Sequence, residues 1–249
     1  MYKRQQEKKF PSEVIDLPSK GLLYSADSPL KSGTIEMKYM TAKEEDILTN
    51  QNYIAKGVVI DKLLQSLIVD KNIKYGDLLI GDKNALLVAA RVLGYGKDYD
   101  FTYQGEKVTV DLSEVNNKAF DESMLTEGKN EFEYTLPTSG DVITFKLLTH
   151  SDEYKIDQEL KGLKKMNKDA SPEVSTRLKY MILSVNGNGE TSIIRQFVDN
   201  RFLARDSRSF RKHVADIQPD IDLKFYPEDA EEGVAIPIGV NFLWPDADL

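Results

Sequence analysis

The amino-acid sequence predicts an α+β fold: a helical layer split into two halves, a small antiparallel β insertion between them, and extended arms at both ends. Two periodicities indicate this arrangement. Apolar residues recur at helical spacing in 41–96 and 151–218, whereas they alternate with polar residues in 97–150. Prolines and glycines interrupt 1–40 and 219–249, so we expect these arms to be mainly extended.

The first helical half follows a predicted strand. Residues 33–39 alternate apolar and polar side chains, which is typical of a half-buried strand. Thr41 and Glu44 have the spacing of a capping box, which predicts a helix start. A second helix is indicated by a stripe of apolar residues at 59, 60, 63, 64, 67 and 68. A third, almost entirely apolar helix is expected to run from an Asp82 cap to a C-terminal cap at Gly94, surrounded by other elements.

The β insertion contains alternating apolar residues from Tyr99 to Leu147, which predict short antiparallel strands. Its segment 137–141, with the sequence PTSGD, predicts a turn in which Gly140 takes a positive φ angle.

The second helical half contains three predicted stretches. A polar helix occupies 151–165, and a second runs from a Ser171 cap through Val185. The third occupies 191–218, with a break and a new cap at Asp206. Beyond it we expect an acidic loop at 227–233 and a closing apolar strand at 235–244.

Composition excludes several classes of protein. The 249 residues contain no cysteine, which rules out disulfides, thiolate zinc sites and cysteine nucleophiles. A formal net charge of −8 argues against a general nucleic-acid binder. The sequence has no apolar run of about 18 residues, and residues 1–9 are polar, so neither membrane spanning nor secretion is expected. We therefore expect a cytoplasmic protein.

Catalytic and metal-binding patterns are not recognisable in the sequence. Its two histidines, His150 and His213, have no second histidine at ligand spacing, so no metal site is predicted. We expect His213 on a helix surface and His150 in a loop. Gly94 and Gly96 resemble part of a dinucleotide loop but follow a helix, so no cofactor is predicted. A hydrolase with an unrecognised site is the enzymatic alternative.

The candidate partner-binding residues are arginines and aromatics. Arginines recur late in an otherwise acidic chain, at Arg195, Arg201, Arg205, Arg208 and Arg211. They fit either a protein-docking surface or internal pairing with acids. Near the end of the sequence, Phe242 and the single tryptophan, Trp244, either dock on the core of their own chain or anchor a partner.

Four segments resemble the tail baseplate family of T4-type contractile-tail phages: LPSKGLLY (17–24), TAKEEDIL (41–48), GDLLIGDKNALLVAARVLGYGKDY (76–99) and LARDSRSFRKHVADIQPDIDL (203–223). The resemblance implies a non-enzymatic assembly factor in the host cytoplasm that binds baseplate hub and tail proteins. A structural hub component that stays in the mature virion is the alternative. Some relatives carry a Cys-x-x-Cys pair where this chain has 225–228, so no zinc knuckle is expected here.

Overall fold

The computed structural model describes residues 11–167, 172–227, 232–238 and 242–244. These ranges contain eight α-helices and nine short β-strands, which confirms the predicted α+β class. The helices are α1 (Ala42–Leu48), α2 (Gln51–Lys56), α3 (Val59–Leu67), α4 (Ile80–Tyr95), α5 (His150–Met166), α6 (Glu173–Met181), α7 (Thr191–Asn200) and α8 (Ala204–Ile217). Across the described ranges, no helix is both long and apolar enough to cross a membrane.

The strands form four small antiparallel sheets. The strands are β1 (Ser12–Asp16), β2 (Thr34–Lys38), β3 (Asp98–Tyr103), β4 (Glu106–Asp111), β5 (Phe132–Thr135), β6 (Val142–Phe145), β7 (Ile182–Val185), β8 (Lys224–Phe225) and β9 (Val234–Ala235). β1 pairs with β2, β3 with β4 and β8 with β9, while β5, β6 and β7 form a three-stranded sheet with β6 at its centre. The β5–β6 turn contains Gly140 at a φ of 75°, as predicted.

The first helical half agrees with the sequence patterns in its main features. Helix α1 begins after Thr41, and Glu44 Oε2 accepts hydrogen bonds from the Thr41 amide (3.1 Å) and hydroxyl (2.7 Å). The stripe of α3 is buried, with Leu63 and Leu64 inaccessible to solvent. Helix α4 has no exposed residue, which confirms that other elements surround it.

Both predicted caps of α4 are wrong. The N-cap is Leu79, three residues before the predicted Asp82, so Asp82 lies inside the first turn of the helix. Asp82 accepts hydrogen bonds from residues of the N-terminal arm, so its carboxylate is used between segments and does not cap the helix. At the other end Gly94 is helical, and Gly96 ends the helix with a φ of 85°.

The predicted helix through Val185 is also wrong in its second half. Helix α6 ends at Met181, and the next four residues form β7. Ile182 lies opposite Phe145, and Val185 lies opposite Ile143 of β6. Pairing with a strand about 40 residues earlier in the chain overrides a local apolar pattern that is also compatible with a helix.

The break before the last helix lies earlier than predicted. Helix α7 ends at Asn200, and α8 begins at Ala204, so Asp206 lies in the first turn of α8 and does not precede it. Arg201 therefore lies in the connection between the two helices, whereas Arg205, Arg208 and Arg211 lie within α8.

Several sequence predictions concern residues outside the described ranges. These are the polar run 1–9, the Ser171 cap, residues 228–231 of the acidic loop, and residues 239–241 of the closing strand.

One buried hydrophobic cluster includes residues from both helical halves and from the β insertion. Phe145 of β6 is fully buried and packs edge-on against Phe210 of α8, with ring centroids 4.8 Å apart. Phe132 of β5 also stacks on Phe145, with ring centroids 5.3 Å apart. The three-stranded sheet thus provides the support on which α8 lies.

Candidate partner-binding surface

Helix α8 has one buried face and one basic face. Phe210, Val214 and Ile217 point into the core. The exposed side carries one acid, Asp216, and four cations, Arg205, Arg208, Arg211 and Lys212, which we call the basic face. The helical repeat separates the two sets, because apolar residues at intervals of three and four fall on one side of the helix.

The basic face has few internal partners. Arg205, Arg208 and Lys212 make no ion pair or hydrogen bond to any described residue, and Arg211 bonds only the Ser207 carbonyl of its own helix (3.3 Å). The chain as a whole carries a net charge of −8, but the exposed side of α8 carries four cations and one acid, Asp216. This face is therefore a local positive patch on an acidic protein.

The other two arginines of the series differ from this patch. Arg195 makes a two-pronged ion pair with Glu159, with both nitrogen–oxygen distances at 2.7 Å, so internal pairing is the correct interpretation for this residue. The Glu159 carboxylate and the guanidinium stabilise each other's charge, which lowers the pKa of Glu159 to about 2. Arg201 is 67% exposed and lies 3.9 Å from Asp141, a solvated contact that contributes little to folding.

Helix α8 is held firmly against the sheet by Asp206. Its buried carboxylate accepts hydrogen bonds from the Thr138 amide (2.8 Å) and the Ser139 amide (3.0 Å) in the β5–β6 turn. Desolvation acts to raise the pKa of Asp206, but these hydrogen bonds outweigh it and lower the pKa below its usual value. The arginines of the basic face are thus presented from a fixed helix.

His213 lies on the side of α8 that faces the sheet. Its ring stacks on Tyr134 with centroids 4.5 Å apart, and it is only partly accessible. His213 is therefore a partly exposed helix residue, in agreement with the expected helix-surface position, and Tyr134 of β5 covers one face of its ring. Burial lowers the pKa of His213, which favours the neutral ring.

A groove of about 570 Å³ lies between the start of α6, the end of α7 and the start of α8. Its apolar lining includes Val174, which is 47% exposed, and Phe202, whose ring stacks on Phe197 at 5.2 Å. The full lining comprises Pro172, Glu173, Val174, Ser175, Leu178, Val198, Phe202, Ala204 and Ser207. Residues from three different helices line the groove, so no pattern within a single segment of the sequence predicts it.

The two aromatic candidates near the end of the sequence do not join this surface. Phe242 is completely buried and packs edge-on against Tyr99, with centroids 5.1 Å apart. Trp244 is partly buried, and its indole N–H donates to the Leu48 carbonyl of α1 at 3.1 Å. Phe242 thus packs in the core of its own chain and Trp244 bonds to α1, which agrees with the core-docking alternative; a partner-anchoring role for either residue stays a prediction.

His150 is the first residue of α5 and not a loop residue as expected. Its Nε2 lies 3.5 Å from Asp61 of α3, its Nδ1 lies 3.4 Å from Lys83 of α4, and its ring packs edge-on against Tyr75. Tyr75 donates a 2.9 Å hydrogen bond to Asp61. No hydroxyl among the described residues hydrogen-bonds to His150, and the cluster connects α3, α4 and α5 through Asp61 and Lys83.

The described residues contain no group of three or more histidines and carboxylates arranged to hold a metal ion. Comparison of the chain with protein-family models, with curated proteins and with solved structures finds no significant match.

Proposed function

We propose that the protein is a non-enzymatic assembly factor of the host cytoplasm that binds other baseplate hub and tail proteins of a T4-type phage. The resemblance of four sequence segments motivates the biological setting, and the basic face of α8 is the observation that supports binding. In this proposal the protein binds neither nucleic acid nor membrane, and it requires no cofactor or metal.

The basic face suits a protein partner with surface carboxylates. A guanidinium presents a planar fork that binds a carboxylate through two hydrogen bonds, and its alkyl stem covers apolar surface. Three arginines and one lysine on one helix offer too few phosphate contacts for strong nucleic-acid binding on a chain of net charge −8. Because Arg205 and Arg208 have no partner among the described residues, a docked carboxylate would replace only water.

The test reverses the charge at Arg205, Arg208 and Arg211 together and measures co-purification with the hub proteins of a T4-type tail. We expect the free energy of unfolding to change by less than about 1 kcal/mol, because exposed charges contribute little to folding. Partner affinity should fall by a factor of about 30 or more, since an arginine buried at an interface contributes roughly 2 kcal/mol or more.

A charge-matched control reverses Lys43, Lys62 and Lys155, which are exposed residues of α1, α3 and α5. The control changes the net charge by the same amount, so it separates a general electrostatic effect from a local one. Equal loss of binding in both variants, or normal binding by the α8 variant, would remove the basic face as the docking site.

A structural hub component retained in the virion is the second form of this proposal. It differs from a transient factor only in where the protein is found after assembly. Mass spectrometry of purified tails distinguishes the two, because stoichiometric copies in the particle identify the retained component.

A further inference from the structure

The groove between α6, α7 and α8 adjoins the basic face directly. Ala204 and Ser207 line the groove, and Arg208 and Arg211 follow them at the i+4 and i+7 positions counted from Ala204. Residues at these intervals share one side of a helix. Arg208 and Arg211 are not among the residues that line the groove, but this spacing puts them next to its edge on the α8 side, which we call the α8 rim.

The opposite rim has a different charge. Glu173 at the start of α6 lines that side and is exposed. Between the two rims lie Val174, Leu178 and Phe202, so the floor is apolar. A ligand that fits this arrangement has an apolar edge and carboxylates on the flank next to α8.

The size of the groove fits several side chains. Ligand pockets in proteins enclose roughly 300–1,000 Å³, and the 570 Å³ here lies within that range. Phe202 is fixed by its stacking on Phe197, so the floor is preformed. Apolar burial supplies affinity, while the charged rims supply orientation.

We infer that this groove binds an amphipathic segment of a partner protein, with its apolar residues on Val174 and Phe202 and its carboxylates against Arg208 and Arg211. This inference specifies the kind of partner segment that the proposed binding site recognises. Its biological setting rests on the proposed function. The binding chemistry itself is testable without any phage protein.

The probe is a fluorescein-labelled 18-residue helical peptide with leucines along one face, glutamates on one flank and serines on the other. Its counterpart carries lysines in place of the glutamates. Fluorescence anisotropy should show that the glutamate peptide binds the full chain at least tenfold more tightly than the lysine peptide. The difference should shrink as salt is raised from 50 to 500 mM, because salt screens exposed charge pairs.

Two variants localise the binding. Val174→Asp places a carboxylate on the groove floor, and Arg208→Glu/Arg211→Glu reverses the rim. Each should weaken the glutamate peptide at least tenfold, whereas Ile54→Asp, a change at a 42% exposed residue of α2, should change its affinity less than twofold. All of these positions are exposed, so the variants are expected to fold, and circular dichroism checks that they do.

The inference fails if Val174→Asp binds the peptide normally or if the lysine peptide binds equally well. It also fails if sedimentation shows that the free protein is a dimer which Val174→Asp dissociates, because a second copy then fills the groove. Co-purification with hub proteins reports separately on the proposed function. If the protein binds the peptide but not the hub proteins, only the proposed biological setting is contradicted. If it binds the hub proteins but not the peptide, only the inferred role of the groove is contradicted.

Discussion

At the scale of single residues, the carboxylate of Asp82 shows how a buried polar group holds two distant segments together. It is completely buried and accepts hydrogen bonds from the Ser19 amide (2.9 Å), the Ser19 hydroxyl (2.7 Å) and the Tyr24 hydroxyl (2.5 Å). Tyr24 in turn accepts from the Leu79 amide at 2.9 Å. Burial raises the pKa of Asp82 despite these hydrogen bonds. The network joins two of the segments that carry the phage resemblance, so these residues serve the fold.

Replacing Asp82 with alanine tests this network. The change leaves the Ser19 and Tyr24 donors buried without an acceptor, and each unsatisfied group costs roughly 1–3 kcal/mol. We therefore expect the free energy of unfolding, measured with urea, to fall by about 2–4 kcal/mol. Asp46→Ala at an exposed site of α1 is the control, and a similar small change in both variants would contradict the structural role of Asp82.

At the scale of elements, polar contacts fix how the two helical halves meet. The cluster around His150 joins the start of α5 to α3 and α4 through Asp61 and Lys83. Burial lowers the pKa of His150, and Lys83 acts in the same direction, while Asp61 and Glu153 act to raise it. The neutral ring is therefore the form that this packing favours.

This arrangement predicts a pH dependence with a definite sign. A histidine whose folded pKa lies below the unfolded value of about 6.5 binds its proton more weakly in the folded state. Acidification from pH 7.5 through 6.5 towards 5 should therefore lower the free energy of unfolding. The pKa of His213 is lowered as well, so both histidines act in the same direction.

The variant His150→Gln should make the urea midpoint less dependent on pH between 7.5 and 5 than it is in the wild-type protein. His213→Gln provides a matched comparison, because it removes the other titrating ring and leaves the α3–α4–α5 cluster intact. An unchanged pH dependence in His150→Gln, or a stability that rises on acidification in the wild-type protein, would contradict the lowered pKa.

Local signals in the sequence predicted most of the elements, and long-range contacts account for the errors. The stripe of α3 and the turn at Gly140 depend on nearby residues, and both were predicted correctly. Strand β7 depends on pairing with β6, and Asp82 depends on Ser19, which is 63 residues away. No periodicity within one segment contains that information.

The same distinction explains how much of the candidate site was predictable. The arginines of α8 were found because their charge stands out in an acidic chain. Their separation into an internally paired Arg195 and an exposed basic face required the position of Glu159, and the neighbouring groove required three helices in contact.

At the scale of the whole molecule, residues 242–244 contact elements that lie far away in the sequence. Trp244 bonds the carbonyl of Leu48, 196 residues earlier, and Phe242 packs on Tyr99. Tyr99 also donates a 2.8 Å hydrogen bond to the Pro237 carbonyl. These contacts attach the C-terminal arm to α1 and β3 and bury apolar surface of the first helical half.

The variant Phe242→Ala tests whether this aromatic residue serves the core or a partner. Removing a buried phenylalanine costs roughly 3–5 kcal/mol through lost burial and the cavity left behind, so we expect a stability loss of that size. Urea unfolding followed by the fluorescence of Trp244, the single tryptophan, measures it. Ile238→Ala is the control, because Ile238 is 49% exposed and its replacement should lower the stability much less.

Partner affinity of the folded fraction should be unchanged, since Phe242 is inaccessible to a partner. If the variant keeps its stability but no longer binds the partner, Phe242 belongs to the partner-binding surface.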